Sequence, residues 1–112
     1  MSKQPKEYLN HILDEINYLI SASDNLDQDE FMRSETLQRS FSRSIEIIGE
    51  ATKKLSKEFT DEYPNIDWKS MAAMRDKLIH DYFGVDYEIV WDVIKNKIPA
   101  LKSQIQQIIS SL

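Results

Sequence analysis

The sequence predicts an all-α protein: one domain built as an antiparallel bundle of four or five helices. Apolar residues recur at spacings of three and four residues along most of the chain, which is the period of an amphipathic helix. Two glycines and three prolines among 112 residues leave few turn signals. No hairpin dipeptide such as Asn-Gly separates alternating apolar and polar residues, so the sequence predicts no strands.

The composition is that of a single globular domain covering residues 1–112. Hydrophobic residues make up 41% and charged residues 29% of the chain, a balance that argues against both disorder and a membrane protein. The apolar runs are far shorter than the roughly 20 residues of a membrane span. The segment Met1–Glu7 has no apolar stretch to act as a signal-peptide core, so we expect a cytoplasmic protein. The absence of cysteine excludes disulfides and thiolate metal sites.

The charge balance limits how the protein can bind nucleic acid. The 19 acidic and 14 basic residues give a formal net charge of -5. A protein that coats nucleic acid by bulk electrostatics carries the opposite sign. Any RNA contact is therefore expected to be local, which suits a small catalytic site better than unspecific binding.

Two helices are predicted in the first half of the chain. The first runs from about Pro5 to Ser21 with one apolar stripe. The segment Ser23–Asp29 is rich in capping residues and is expected to be a loop. A second, long helix then extends toward Tyr63, because the residue before Pro64 avoids helical geometry. Gly49 lies inside this helix, where glycine costs about 1 kcal/mol relative to alanine, and this indicates close helix packing.

The second half of the chain predicts two or three further helices. Asn65 or Asp67 can cap a third helix, and Gly84 is its expected end. Asp86 can cap a fourth helix. Pro99 is expected to kink that helix or to begin a new one, because proline removes a backbone hydrogen bond.

The two histidines differ in their surroundings. His11 is isolated beside the apolar stripe of the first helix, which favours a structural role. His80 has charged neighbours: Asp76, predicted to lie one helical turn earlier, can hold the imidazole, and Asp81 adjoins it. A surface Asp–His pair is the alternative. No Glu-x-x-His pair occurs, so a di-metal bundle lacks its ligands and the sequence predicts neither a metal site nor a cofactor.

The segment around His80 also carries a recognisable pattern. Arg75, His80 and Tyr82 form an Arg-x4-His-x-Tyr sequence. In this pattern the chain resembles the HEPN superfamily, and in particular the HepT-like toxins of prokaryotes. The resemblance covers nearly the whole chain, including the stretches Tyr8–Leu13, Arg43–Ala51, Pro64–Trp68 and Val90–Trp91.

The resemblance implies a metal-independent ribonuclease that is active as a homodimer. HepT-like toxins are usually encoded beside a nucleotidyltransferase antitoxin, which adds AMP groups to the signature tyrosine. The roles that carry over are catalysis for Arg75 and His80 and regulatory modification for Tyr82. A non-catalytic HEPN module that only binds and positions a nucleotidyltransferase is the alternative function.

The chemistry of RNA cleavage agrees with these residue types. RNA supplies its own nucleophile, the 2'-hydroxyl, so cleavage needs a base, an acid and positive charge near the phosphate. A histidine, with an intrinsic pKa of about 6.5, suits both proton transfers. The arginine fork of Arg75 matches phosphate geometry. Side chains five residues apart on an ideal helix point in directions roughly 140° apart around the helix axis. Arg75 and His80 of one continuous helix therefore cannot easily face the same phosphate. Either the helix ends before His80, or two chains share one cleft.

A polar stripe on the second helix is a further candidate. Arg39, Arg43, Glu46 and Glu50 recur at helical spacing opposite the apolar residues. The stripe is either a solvated face with helix-spaced ion pairs or, with Arg39 and Arg43 lining the cleft, an RNA contact.

Overall fold

A computed structural model describes residues 4–81 and 84–112, with side chains for residues 4–76 and 84–112. These residues form eight α-helices and one antiparallel pair of short strands. The elements are α1 (Pro5–Ser23), α2 (Gln28–Met32), α3 (Glu35–Lys53), α4 (Lys57–Asp61), α5 (Trp68–Ala72), α6 (Met74–Leu78), β1 (Ile79–Asp81), β2 (Gly84–Val85), α7 (Tyr87–Asn96) and α8 (Ile98–Ser111).

The predicted all-α class is confirmed. The four long helices α1, α3, α7 and α8 form the bundle, with α1 packed along both α3 and α8. The short helices α2, α4, α5 and α6 connect them. Within the described residues, no helix is long and apolar enough to cross a membrane.

The core follows the predicted apolar stripes. Phe31 of α2 is fully buried and stacks on Phe41 of α3 at a ring distance of 5.2 Å. Trp91 of α7 also packs on the Phe31 ring, with ring centroids 5.4 Å apart. These aromatic contacts anchor the short helix α2 between two long ones. The fully buried aliphatic side chains around them include Leu9, Ile12, Ile16, Leu19, Ile45, Ile48, Val90, Ile94, Ile98 and Ile105.

The prediction of one long second helix is wrong. The chain forms three helices there, because serine side chains cap new helix starts inside the apolar pattern. The Ser34 hydroxyl accepts the Leu37 N–H at the start of α3. The Ser56 hydroxyl accepts the Phe59 N–H at the start of α4. A capped start satisfies a backbone donor that a continuous helix would bond internally.

The predicted end of the third helix is also wrong. Asp67 caps α5 as expected, by accepting the Ser70 N–H at 3.0 Å. The helical path breaks at Ala73, resumes as α6 and ends at Leu78, six residues before Gly84. The chain then forms β1, which pairs with β2, so the prediction of a chain without strands fails here.

The predictions for Asp86 and Pro99 are confirmed. The Asp86 carboxylate accepts the N–H groups of Glu88 and Ile89 and caps α7. Pro99 is the second residue of α8, where a missing N–H costs no intrahelical bond. It therefore begins a new helix.

The close packing predicted at Gly49 is confirmed. A Cβ atom at this position would lie 3.4 Å from the Ala72 carbonyl oxygen and 3.6 Å from that of Met71. The α3 backbone thus passes directly beneath the last turn of α5. One methyl group fits at contact distance, and a larger side chain does not.

We expect Gly49→Ala to leave the free energy of unfolding unchanged or to raise it by up to about 1 kcal/mol, because alanine favours the helix. Gly49→Leu is expected to lower it by about 1–3 kcal/mol through overpacking against α5. Urea unfolding of both variants and the wild type measures the difference. Equal destabilisation by alanine and leucine would show that α5 leaves no room for a Cβ.

Candidate functional site

Arg75 lies at the start of the short helix α6, where the side chain is 44% exposed. The preceding Met74 is buried in the core and fixes this end of the helix. Arg75 is therefore held on a rigid base while its guanidinium remains accessible to a ligand.

The guanidinium of Arg75 faces the carboxylate of Glu46 on α3. Arg75 Nε lies 3.6 Å from Glu46 Oε2, which is an ion pair but too long for a hydrogen bond. The other carboxylate oxygen, Oε1, accepts a hydrogen bond of 2.8 Å from Arg43 Nη1. Glu46 thus links two arginines from different helices. Arg75 also makes a weaker contact, from Nη1 to Asp76 Oδ1 at 4.0 Å.

These ion pairs are partly exposed, so they orient side chains more than they stabilise the fold. The Glu46 side chain is 38% exposed and that of Arg43 is 67% exposed. Exposed pairs contribute about 0–1 kcal/mol each. In the described part of the chain, the contacts of Arg75 use Nε and Nη1 and leave Nη2 for another ligand.

His80 lies in β1, beyond the end of α6. Ile79 pairs with Val85 and Asp81 pairs with Gly84, so two steps on β1 match one step on β2. This register shift places a bulge at His80. Bulges are frequent next to active sites, where they redirect a side chain. The chain therefore changes from helix to bulged strand between Arg75 and His80.

The family comparison covers the helices and the bulge just described. The model of the family described as Ribonuclease HepT-like matches residues 12–108. The chain belongs to this family.

Relatives of this HepT-like chain come from bacteria and archaea. A protein of Caldanaerobacter subterraneus subsp. tengcongensis, named provisionally as an RNase, is 47% identical over 107 residues, 96% of each chain. A Methanocaldococcus jannaschii protein with the same kind of name is 41% identical over 98% of this chain and 91% of its own. The probable ribonuclease HepT of Thermococcus cleftensis is 37% identical over 96% of this chain and 98% of its own. No solved structure matches the chain significantly.

The helix on which the predicted Asp76–His80 contact depends ends before His80. Asp76 and His80 were expected one turn apart, but α6 ends at Leu78. The described contact of the Asp76 carboxylate is with Arg75. The predicted roles of the His80 and Asp81 side chains, and of Tyr82, lie outside the described residues.

The two arginines of the predicted polar stripe have different surroundings in the HepT-like chain. Arg39 Nη2 pairs with Glu35 Oε1 at 2.7 Å, one turn earlier on α3, and its side chain is 76% exposed. Arg43 instead belongs to the Glu46 pair that reaches Arg75. Both arginines therefore form helix-spaced ion pairs on α3. Arg43 differs from Arg39 because its partner, Glu46, also pairs with Arg75.

Glu46 was not among the site residues that the sequence predicted. Its spacing of three residues from Arg43 indicates a helix-spaced ion pair. Its contact with Arg75 depends on where α6 crosses α3, which the sequence pattern does not encode.

His11 also differs from expectation, because it is exposed on α1 rather than packed as a structural histidine.

Proposed function

We propose that this HepT-like chain is an endoribonuclease toxin that acts as a homodimer and needs no metal ion. Family membership and the names of the relatives support an RNA-cleaving activity. The single observation that carries the proposal for this chain is the accessible guanidinium of Arg75, oriented by Glu46 and followed by a bulge at His80.

In the proposed mechanism, Arg75 binds the scissile phosphate. Glu46 holds the Nε edge of the guanidinium, and Nη2 can donate to a phosphate oxygen. A charge-assisted contact of this kind strengthens as negative charge develops on the phosphorane oxygens. Arg43 shares the same carboxylate, so one acidic group is placed between two positive ones. Two guanidinium groups therefore lie near the proposed phosphate site although the whole chain carries a net charge of -5.

His80 is proposed to move the protons. One imidazole accepts the proton of the 2'-hydroxyl, and the O2' atom then attacks phosphorus and displaces the 5'-oxygen of the next nucleotide. A second imidazole, protonated, gives its proton to that leaving oxygen. The products are a 2',3'-cyclic phosphate and a free 5'-hydroxyl. Because each chain has one His80, a homodimer whose two signature segments open into one cleft supplies both groups.

We expect His80→Ala and Arg75→Ala each to lower RNA cleavage by at least about 100-fold while the helical content stays unchanged. The Arg75 side chain is partly exposed, and His80 does not belong to the main apolar stripe of the sequence, so neither substitution is expected to prevent folding. Lys57→Ala is the control, because Lys57 pairs with Asp61 on α4, away from the signature. A fluorescent RNA assay in the presence of EDTA, combined with circular dichroism and growth inhibition in cells, makes the comparison.

Several outcomes of this assay would contradict the proposal. Persistent cleavage by His80→Ala would remove that residue from the mechanism, and loss of helical signal would make it structural. Loss of wild-type activity in EDTA would contradict a metal-independent reaction. A folded wild type that binds a nucleotidyltransferase but cleaves no RNA would support the non-catalytic alternative.

Tyr82 is proposed as the site at which a partner nucleotidyltransferase adds AMP. The added phosphate would bring negative charge and bulk to the signature segment and exclude RNA. After co-expression with the nucleotidyltransferase, peptide mass spectrometry is expected to find AMP-sized additions on the peptide containing Tyr82. Tyr82→Phe is expected to stay toxic in the presence of the antitoxin. Neutralisation of Tyr82→Phe without any modification would mean that inhibition is steric.

A further inference from the structure

A pocket of about 220 Å³ lies in the groove between α1 and α3. Tyr8 and His11 of α1 form one wall. Arg43 of α3 and Lys54, which follows the last residue of α3, contribute positive charge along the other. The pocket is open to solvent. Nothing in the signature chemistry described above uses Tyr8, His11 or Lys54.

The rest of the lining combines apolar surface with little opposing charge. Ile47 and Ala51 of α3 supply the apolar part. Glu50 is the one acidic residue among the described lining residues, and its carboxylate lies 3.7 Å from Lys53 Nζ. Arginine and lysine therefore outnumber the acidic groups, in contrast to the whole chain. An aromatic ring, an apolar surface and two cations suit a nucleotide, whose base stacks while its phosphate binds the cations.

The pocket is connected to Arg75 through Arg43. Arg43 lines the pocket and donates to Glu46 Oε1 at 2.8 Å, and Glu46 Oε2 lies 3.6 Å from Arg75 Nε. The three side chains form a continuous polar path over α3 from α6 to the groove against α1. A strand whose scissile phosphate is bound at Arg75 can therefore reach the pocket with a neighbouring nucleotide.

The size of the pocket favours one unit of a polymer over a free small molecule. Pockets that enclose whole small-molecule ligands measure roughly 300–1,000 Å³. A smaller, open pocket with separate positive groups instead matches the grooves that follow a nucleic-acid backbone.

We infer that the pocket of Tyr8, His11, Arg43 and Lys54 is a subsite for one nucleotide of single-stranded RNA, next to the cleaved bond. The inference rests on the proposed function and extends it by placing substrate along α1 and α3. The base lies against the Tyr8 ring and the apolar surface of Ile47. Lys54 and Arg43 bind the flanking phosphates.

Lys53 and Lys54 offer a matched pair of variants. Both are exposed and lie at the C-terminal end of α3, but Lys54 lines the pocket, and Lys53 pairs with Glu50 outside the lining. Within the described part of the chain, Lys54 has no carboxylate within ion-pair distance. The two substitutions remove the same charge from adjacent positions.

The binding probe is a fluorescent 2'-O-methyl oligonucleotide of about eight nucleotides, which cannot be cleaved because its 2'-oxygen is blocked. We expect Lys54→Ala to raise its Kd by about three- to tenfold and to reduce the slope of log K against log salt by roughly 0.7. His11→Ala is expected to raise the Kd as well, whereas Lys53→Ala stays within about twofold of the wild type. Equal effects of Lys53→Ala and Lys54→Ala would overturn the subsite.

Cleavage kinetics separate failure of the subsite from failure of the proposed function. On single-stranded RNA, Lys54→Ala is expected to raise KM with kcat unchanged, because it removes binding that substrate and transition state share. If the wild type cleaves RNA and Lys54→Ala has the same KM, the subsite is contradicted and the nuclease proposal stands. A wild type that cleaves nothing but binds the probe through Lys54 overturns the nuclease and retains the binding site.

Discussion

The end of α6 at Leu78 is the constraint on which the candidate site depends. If the helix continued to Gly84, Arg75 and His80 would point to directions roughly 140° apart. Instead the chain becomes extended at Ile79, a β-branched residue that favours strands, and pairs back on Gly84–Val85. A bulge at His80 interrupts this strand pair, and the chain then enters α7, whose start is capped by Asp86. The geometry therefore depends on a five-residue helix and five strand residues set on the rigid bundle.

The ion pairs around Arg75 join two helices of an acidic chain. Glu46 is placed between Arg43 and Arg75, so one carboxylate orients both guanidinium groups, and Asp76 makes a weaker contact of 4.0 Å with Arg75. Arg39, only four residues before Arg43, is paired separately with Glu35. The difference arises because residues 43 and 46 lie on α3 where α6 crosses it. Position relative to α6 therefore decides which arginine shares a carboxylate with Arg75.

The sequence predicted the bundle well because burial follows the helical period. Phe31, Phe41 and Ile45 belong to the apolar pattern of this part of the sequence and are fully buried. The apolar spacing does not reveal that helices end near Ser34 and Ser56, because apolar residues continue at a helical spacing on both sides of each break. Single hydroxyl caps decide these breaks, and serine also occurs often inside helices. Asp67 and Asp86 were recognisable as caps because each follows a clear turn or glycine signal.

The site was predictable in its residue types but not in its contacts. The Arg75, His80 and Tyr82 pattern is visible in the sequence, whereas the Glu46–Arg75 pair joins residues from separate helices and depends on tertiary packing. The Asp76 prediction assumed one-turn spacing, which has meaning only if the helix continues, and α6 ends at Leu78. Local spacing therefore identifies candidates, and the position of each element determines which of them meet.

The most direct test of a cleft shared by two chains is a mixing experiment. Wild-type and His80→Ala chains are co-refolded in varying proportions, and RNA cleavage is measured at constant total protein. If each active cleft requires His80 from both chains, activity falls with the square of the wild-type fraction, to roughly a quarter at equal amounts. A linear fall, to roughly half, would show that each chain cleaves RNA alone and would contradict the shared site.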